Sequence, residues 1–398
     1  MAENHAGTKM PNRNKNVAIC GTTIFPIGGF LDEYRRNILK FGHEKNVRVY
    51  IAGDNRSPAT SEDEAAEVSR QGLRTAFLTI KAQHDYLKAY PEVDEMVPEN
   101  SDNRRNVAYL MALEEGADVV ISIDDDNFPT EDVDFVGEHL CVGEEVTLPE
   151  AIGHNGWYNL CDLLLPRMPD LYPRGFPYRF RHENASAVRE PAGGRLGMNV
   201  GLWTNDPDSD AIARLYCKPR IDRADGRQVL LGNRVRCPIN TQNTALSREA
   251  MAAYYYLRMG ENLRGLRIDR FGDIFSGYFV QVCAEAVGDR IRIGSPVADH
   301  RRNSHNLLLD LYHELAGIMI IEDLAPFLAT VELPGESYTE AYRALSTKIE
   351  EFADEQDGFI WLPETKQYFH TIAKYMRVWA DVTSSMLPTE ATAAGATR

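Results

Sequence analysis

Apolar positions in the first third of the chain switch between two periods. Val17–Cys20 is a short apolar run closed by Gly21-Thr22-Thr23, which predicts a strand and a turn. Leu31, Tyr34, Ile38 and Phe41 recur at helical spacing, and Gly42 stands where a helix would end. Val47–Ile51 is β-branched and aromatic, and Ala52-Gly53-Asp54-Asn55 punctuates it. Ser61 and Glu64 have the spacing of a capping box and open a helix drawn as far as Tyr90. A further helix is read over Arg104–Glu115, with Val107, Leu110 and Met111 on one face and Gly116 as its stop. Val119–Ile123 follows as an apolar run that ends in three aspartates. Strand, helix and strand in alternation predict an α/β fold with right-handed crossovers and a mostly parallel sheet.

The middle of the chain, from about Glu150 to Asn240, is rich in Gly, Pro, Arg and aromatics and has little periodicity, so it reads as long loops. Ile291–Val297 reads as a late strand. From Asn306 the pattern is helical. Ser337 and Glu340 form a second capping box ahead of Tyr342, Leu345, Ile349 and Phe352, and Tyr368, Ile372, Tyr375 and Trp379 repeat the period. The chain divides accordingly into a polar arm at 1–16, an α/β domain at 17–305, a helical region at 306–388 and a small-residue tail at 389–398.

Composition narrows the function. In 398 residues, 43% hydrophobic and 26% charged positions are globular proportions. The net charge of −16 argues against general nucleic-acid binding, which needs a basic face. Six cysteines without CxxC spacing fit reduced thiols in a cytoplasmic protein. Apolar stretches such as Ala316–Ile321 are too short for a membrane span, and the first residues lack an apolar signal core. No membrane partner is expected, and a homo-oligomer is compatible with this composition.

Asp124-Asp125-Asp126 at the end of an apolar strand is the strongest chemical signal. Clustered carboxylates repel one another, and Mg²⁺ or Mn²⁺ removes that cost while accepting substrate phosphates as further ligands. The carboxyl ends of strands are also where open α/β sheets place ligands. Asp124 and Asp126 are therefore candidate metal ligands, against a plain solvated acidic turn. His300, in Asp299-His300-Arg301-Arg302, is a candidate third ligand or an ordinary loop histidine. Thr22 and Thr23 end the first strand where a nucleotide can be met, and Asp54 ends the second, to hold a base or ribose or to cap a turn. Arg174-Gly175-Phe176-Pro177-Tyr178 holds an arginine in a turn. Its guanidinium can meet a phosphate or a sugar's anomeric carbon, or stack on Phe176 or Tyr178. Trp203 offers a sugar platform or a core residue, and Asp273 a base, an orienting group or an N-cap. The first turn, Cys20–Phe30, lacks GxGxxG, so no flavin is expected.

Six stretches in order resemble the reversibly glycosylated polypeptides, the UDP-arabinopyranose mutases known from plants. They are Ile123–Phe128, Arg174–Tyr178, Gly201–Ala211, Cys237–Leu246, Arg270–Tyr278 and Asp299–Asn306. The resemblance implies a glycosyltransferase-A-like sheet, a DxD metal site for Mn²⁺ or Mg²⁺, and flavin-free interconversion of pyranose and furanose forms of a nucleotide sugar. It places the reversibly glycosylated arginine on Arg174, metal-binding aspartates in Asp124–Asp126 and the late histidine on His300. The site set expected is Arg174 and Asp273 as catalytic residues, and Thr22, Thr23, Asp54, Arg104 and Asp125 for the nucleotide. Trp203 and Asn243 are assigned to the sugar, and Asp124, Asp126 and His300 to the metal. The chain departs from the family where Gly272-Asp273 replaces a paired acidic dipeptide, and where Asn240-Thr241-Gln242-Asn243 replaces a Cys-Gly-Met-Asn run. Either GDP or UDP is compatible with this set. A transferase using the same metal and nucleotide site on an acceptor, or a non-catalytic nucleotide-sugar-binding subunit, are the alternative readings.

Overall fold

The computed structural model describes residues 12–182 and 186–387. Ten strands form the main sheet. In spatial order they are Thr75–Leu78, Val47–Ala52, Val17–Thr22, Val119–Ile123, Asn243–Ser247, Ser186–Asn205, Glu145–Gly153, Val229–Leu231, Arg290–His300 and Asn127–Pro129. The first four run parallel. Beyond them antiparallel and parallel pairs mix.

Helices cover both faces, as the continuous burial of the first strand requires. Val17 and Ile19 pack with Leu31, Tyr34 and Ile38 of the helix Gly28–Phe41. Ala18 and Cys20 pack with Val107, Ala108 and Leu110 of the helix Arg105–Glu114. Gly42 closes the first of these helices at φ 76°, the left-handed conformation a glycine cap supplies. The expected α/β sheet flanked by helices, with a helical C-terminal region, is what the chain forms.

Two expectations need correction. The helix drawn from Ser61 to Tyr90 is a helix at Ser61–Arg70, a strand at Thr75–Leu78 and a helix at Ile80–Leu87. Gly72, at φ 104°, makes the break. Glu64 also serves another helix: its carboxylate accepts from the backbone N–H groups of Ile27 at 2.8 Å and Gly28 at 2.7 Å. It thus caps the start of the helix Gly28–Phe41 from a distance. The middle of the chain, read as loops, contains the longest strand, Ser186–Asn205. Its first half pairs with Glu145–Gly153 and its second with Arg290–His300. Through Val229–Leu231 these strands close a small ring.

At 306 onward, helices span Leu307–Thr330, Tyr338–Glu355 and Pro363–Ser384. Ser337 caps the second, its hydroxyl accepting from the Glu340 N–H at 3.1 Å. Trp379 docks the third on the domain by donating its ring N–H to the Met251 carbonyl at 2.8 Å. Among the described residues no helix is long and apolar enough to cross a membrane. Residues 1–11 of the arm and the tail at 389–398 lie outside the described residues. Lys15 and Asn16, assigned to that arm, are pinned. The ammonium donates to the carbonyls of Leu140 at 3.0 Å and Val142 at 2.6 Å, and the Asn16 N–H donates to Asp118 at 2.8 Å.

Candidate functional site

The strand Val119–Ile123 delivers Asp124–Asp126 to a cleft of about 330 Å³ at the carboxyl ends of the parallel strands. A recess of about 190 Å³ adjoins it and shares Thr22, Asp102 and Asp125. Larger hollows of about 480, 590 and 620 Å³ are lined by other residues. The chemistry of the lining, not size, singles out this cleft.

Register brings the distant pieces together. Asn127–Pro129 pairs antiparallel with the end of Arg290–His300, and His300 stands opposite Asn127. His300 is therefore the last residue of a strand, 2% exposed, rather than a loop histidine in water. Its Nδ1 bonds the Asp206 carbonyl, and its Nε2 lies 3.3 Å from Asp126 Oδ2. Burial pushes the Asp126 carboxyl up, but the hydrogen bond and charge of His300 and the charge of Arg302 outweigh it and hold it below the ordinary range. Burial likewise opposes charge on His300, and Asp126 raises its pKa nonetheless.

Asp124 has a different partner. Arg105 donates from Nη2 to its carboxylate at 2.6 Å and from Nη1 to the Ser122 hydroxyl at 2.9 Å. Burial raises Asp124, and Arg105 offsets part of that. Asp125 is pushed up to about 6, chiefly by burial, with Thr23 donating to it. Three adjacent carboxylates thus sit in three electrostatic settings.

Arg174 stands in the same cleft, 7% exposed. Its Nε and Nη2 donate to Asp208 at 3.1 Å each. Its Nη1 and Nη2 donate to Asp273 at 3.1 and 2.8 Å. The remaining Nη1–H meets the Arg270 carbonyl. All five N–H groups are taken by protein acceptors. Both carboxylates outweigh burial and keep Arg174 firmly protonated, and Arg174 holds Asp208 far below the ordinary carboxylate range against the pull of burial. The turn that aims it depends on Gly175, at φ 84°, where a Cβ would lie 2.3 Å from Ile274. Arg270 also adopts a positive φ, 57°, which turns its carbonyl to the guanidinium.

The sequence profile described as "Reversibly glycosylated polypeptide" matches residues 92–387, about three-quarters of the chain. The chain belongs to the reversibly glycosylated polypeptide family. Relatives include a probable UDP-arabinopyranose mutase 4 of Arabidopsis thaliana, 29% identical over 222 residues, 54% of each chain. UDP-arabinopyranose mutase 1 of the same plant is 28% identical over 54% of this chain and 56% of its own. A probable UDP-arabinopyranose mutase 2 of Solanum tuberosum is also 28% identical, over 55% and 54%. The chain thus spans about half the length of the curated relatives it matches. A Pyrobaculum calidifontis mannosyltransferase solved with GDP-Man and Mn²⁺ aligns over 97% of this chain and 81% of its own, at TM-score 0.35 and 11% identity, too weak to bear on function.

Seen against the family motifs, most residues singled out from sequence converge. Thr22, Asp124, Asp125, Asp126, Arg174, Asp273 and His300 line the cleft, and Thr23 and Asp54 line the adjoining recess. Asp54 accepts from the backbone N–H groups of Asn100 and Ser101, both at 2.9 Å, so it also shapes the recess wall. Asp273 lies in the first turn of the helix Gly272–Ala286 without being its cap.

Three of the expected residues lie outside the cleft and its recess. Arg104 is fully buried away from the cleft, donating to Gln83 and to the Val97 carbonyl at 2.7 Å each. Successive helical side chains point about 100° apart, so the next residue, Arg105, faces the site instead. Trp203 is 2% exposed in the core. Asn243 is buried behind Gly201, bonded to His139 and to the carbonyls of Leu202 and Pro296. Thr241 and Gln242 line the cleft just before it. Nor does Arg174 stack on an aromatic ring: Arg181 lies over Tyr178, 3.6 Å from its centroid.

Arg105, Asp208 and Arg302 are cleft residues the sequence reading missed. Asp208 was within reach, since it falls in the matched stretch Gly201–Ala211. The two arginines can be told apart by substitution. If the cleft takes a nucleoside diphosphate, Arg105→Ala is expected to weaken its binding at least about tenfold, because Asp124 then faces the ligand uncompensated. Arg104→Ala is expected to lower the melting temperature and leave that affinity nearly unchanged. Titration calorimetry and thermal melts on both variants check this.

The cleft suits a divalent ion in part. Carboxylate oxygens with an imidazole are a hard donor set, and the Nδ1 bond of His300 to a carbonyl leaves Nε2 aimed at Asp126, the orientation a metal ligand needs. Among the described residues no three His, Cys, Asp or Glu side chains converge tightly enough to encage an ion on their own. An ion here would need oxygens from the ligand, as Mg²⁺ and Mn²⁺ sites that also hold phosphates do.

Proposed function

We propose that the chain is a mutase that interconverts the pyranose and furanose forms of a nucleoside diphosphate sugar. The observation that carries this reading is Arg174 held between Asp208 and Asp273 in one cleft with the strand-end carboxylates. The names of the curated relatives favour a UDP-sugar, with UDP-arabinopyranose first to test. In this reading Thr22, Thr23, Asp54 and Asp125 meet the nucleoside. Asp126 and His300, with Asp124 beside them, would hold Mn²⁺ or Mg²⁺, which would offset negative charge on the diphosphate.

Ring contraction must break C1–O5 and form C1–O4. The ring cannot open while C1 carries the diphosphate in an acetal. The C1–O bond to phosphate therefore breaks first, and its electron pair leaves on the diphosphate. Arg174 then takes C1 on a guanidine nitrogen, and the proton displaced passes to the departing diphosphate. The nitrogen lone pair expels O5, which gains a proton. O4 adds to C1 and loses one; the diphosphate then attacks C1, the C1–N bond breaks with its electron pair on nitrogen, and the proton held by the diphosphate returns to Arg174. Asp208 and Asp273 fix which nitrogen faces C1, an orientation worth several kcal/mol, about 7–11 at the limit. Asp208, held strongly acidic, orients rather than accepts the proton.

Incubation with UDP-arabinopyranose and Mn²⁺, with ring form read by NMR, tests the proposal. A furanose product without any acceptor is the expected result. Sugar transferred only when an acceptor is added, or no change in ring form with either UDP- or GDP-sugars, overturns it.

A further inference from the structure

Four guanidinium groups line the cleft: Arg105, Arg174, Arg270 and Arg302. Three are committed. Arg174 has no N–H to offer, Arg105 holds Asp124 and Ser122, and Arg270 holds Glu314 at 3.1 Å. Arg302 is different. Its side chain is only 9% exposed, yet among the described residues it makes no hydrogen bond. Its nearest counter-charge is Asp310, 3.6 Å away, beyond hydrogen-bond reach. A buried guanidinium without acceptors is costly, and a bound anion relieves that cost.

Its position suits that anion. The residues on either side of it are tied to the aspartate triplet. The Arg301 N–H donates to the Asp126 carbonyl at 2.8 Å, and the Asn303 N–H bonds the Asp126 carboxylate. Arg302 therefore sits on a braced segment that lines the same cleft as Asp126 and Asp208. Its planar fork matches two phosphate oxygens at once.

We propose that Arg302 is the arm that grips the diphosphate, from the segment braced against the strand-end carboxylates. This rests on reading the cleft as a nucleoside diphosphate sugar site. A purely structural Arg302, one that only neutralises Asp126, Asp208 and Asp310, would affect all ligands of the cleft alike.

Titration calorimetry on the full chain with Mn²⁺ present separates these. Wild type, Arg302→Ala and Arg302→Lys are each titrated with UDP and with uridine. Arg302→Ala is expected to weaken UDP about 30-fold or more and to leave uridine within about twofold. Arg302→Lys, which keeps the charge without the fork, is expected to fall between, and it decides the matter if the alanine variant does not fold. UDP affinity equal to wild type in the variant measured, or equal losses for UDP and uridine, overturns the role of Arg302 alone. Wild type that binds neither UDP nor GDP overturns the nucleotide-sugar reading and this inference with it.

Discussion

Arg174→Ala is expected to abolish activity, by at least about 10³-fold, and to cost about 3–5 kcal/mol of stability near neutral pH. The two losses have separate origins. The first follows from the nucleophilic role proposed for Arg174. The second arises because Asp208 and Asp273, both nearly buried, then face each other with nothing between them. The stability loss has a pH signature. In wild type, Asp208 has a depressed folded pKa, so its contribution is present above the unfolded carboxylate pKa and is lost as pH falls through the lower folded value. In the variant the pair repels and its pKa rises above the unfolded value. The folded state then binds more protons than the unfolded one, and stability climbs as pH falls towards 5. Denaturant melts of both proteins across pH 5–8 should therefore converge at the acid end.

Arg174→Lys sharpens the chemical half of this result. An arginine acting as a phosphate clamp needs free N–H groups, and Arg174 has none, so lysine is not expected to rescue activity. Wild type incubated with radiolabelled UDP-sugar should carry acid-labile label that both variants lack. Substantial turnover by the lysine variant would falsify the nucleophilic role.

Asp126→Asn is expected to cost about 10²–10³ in activity, or roughly 2.7–4 kcal/mol in the barrier. The amide keeps the shape and an acceptor for His300, so the change isolates the charge. The variant should also need a higher Mn²⁺ concentration for half-maximal rate. Wild-type protein dialysed exhaustively against EDTA should be inactive and recover with Mn²⁺ or Mg²⁺. Full activity after such dialysis would remove the metal from the scheme.

How much of this was legible in the sequence depended on distance along the chain. The helix Gly28–Phe41 could be read because its apolar positions and its glycine cap are local signals. The capping Ser337 was legible for the same reason. The strand Thr75–Leu78 was not, because four residues between two helices leave too little period to count. Arg104 and Arg105 are neighbours of equal polarity, and only packing decides which one faces the core. The bracket around Arg174 joins residues 34 and 99 positions away, so its members carried motif signals but their contact did not. Trp203 and Asn243 lie outside the cleft because strands buried on both faces hide even residues that look built for a ligand.

The helix Leu307–Thr330 has a consequence for how this protein comes apart. Its Glu314 holds Arg270 and accepts from the Ala211 N–H at 2.7 Å, and its Asp310 lies 3.5 Å from the Arg270 guanidinium. Arg270 in turn presents its carbonyl to Arg174. The geometry around Arg174 is thus written partly in a segment outside the sheet. Melting of that helix and loss of the bracket around Arg174 become one cooperative event, and a chain cut before residue 307 would lose the shape of this cleft along with its tail.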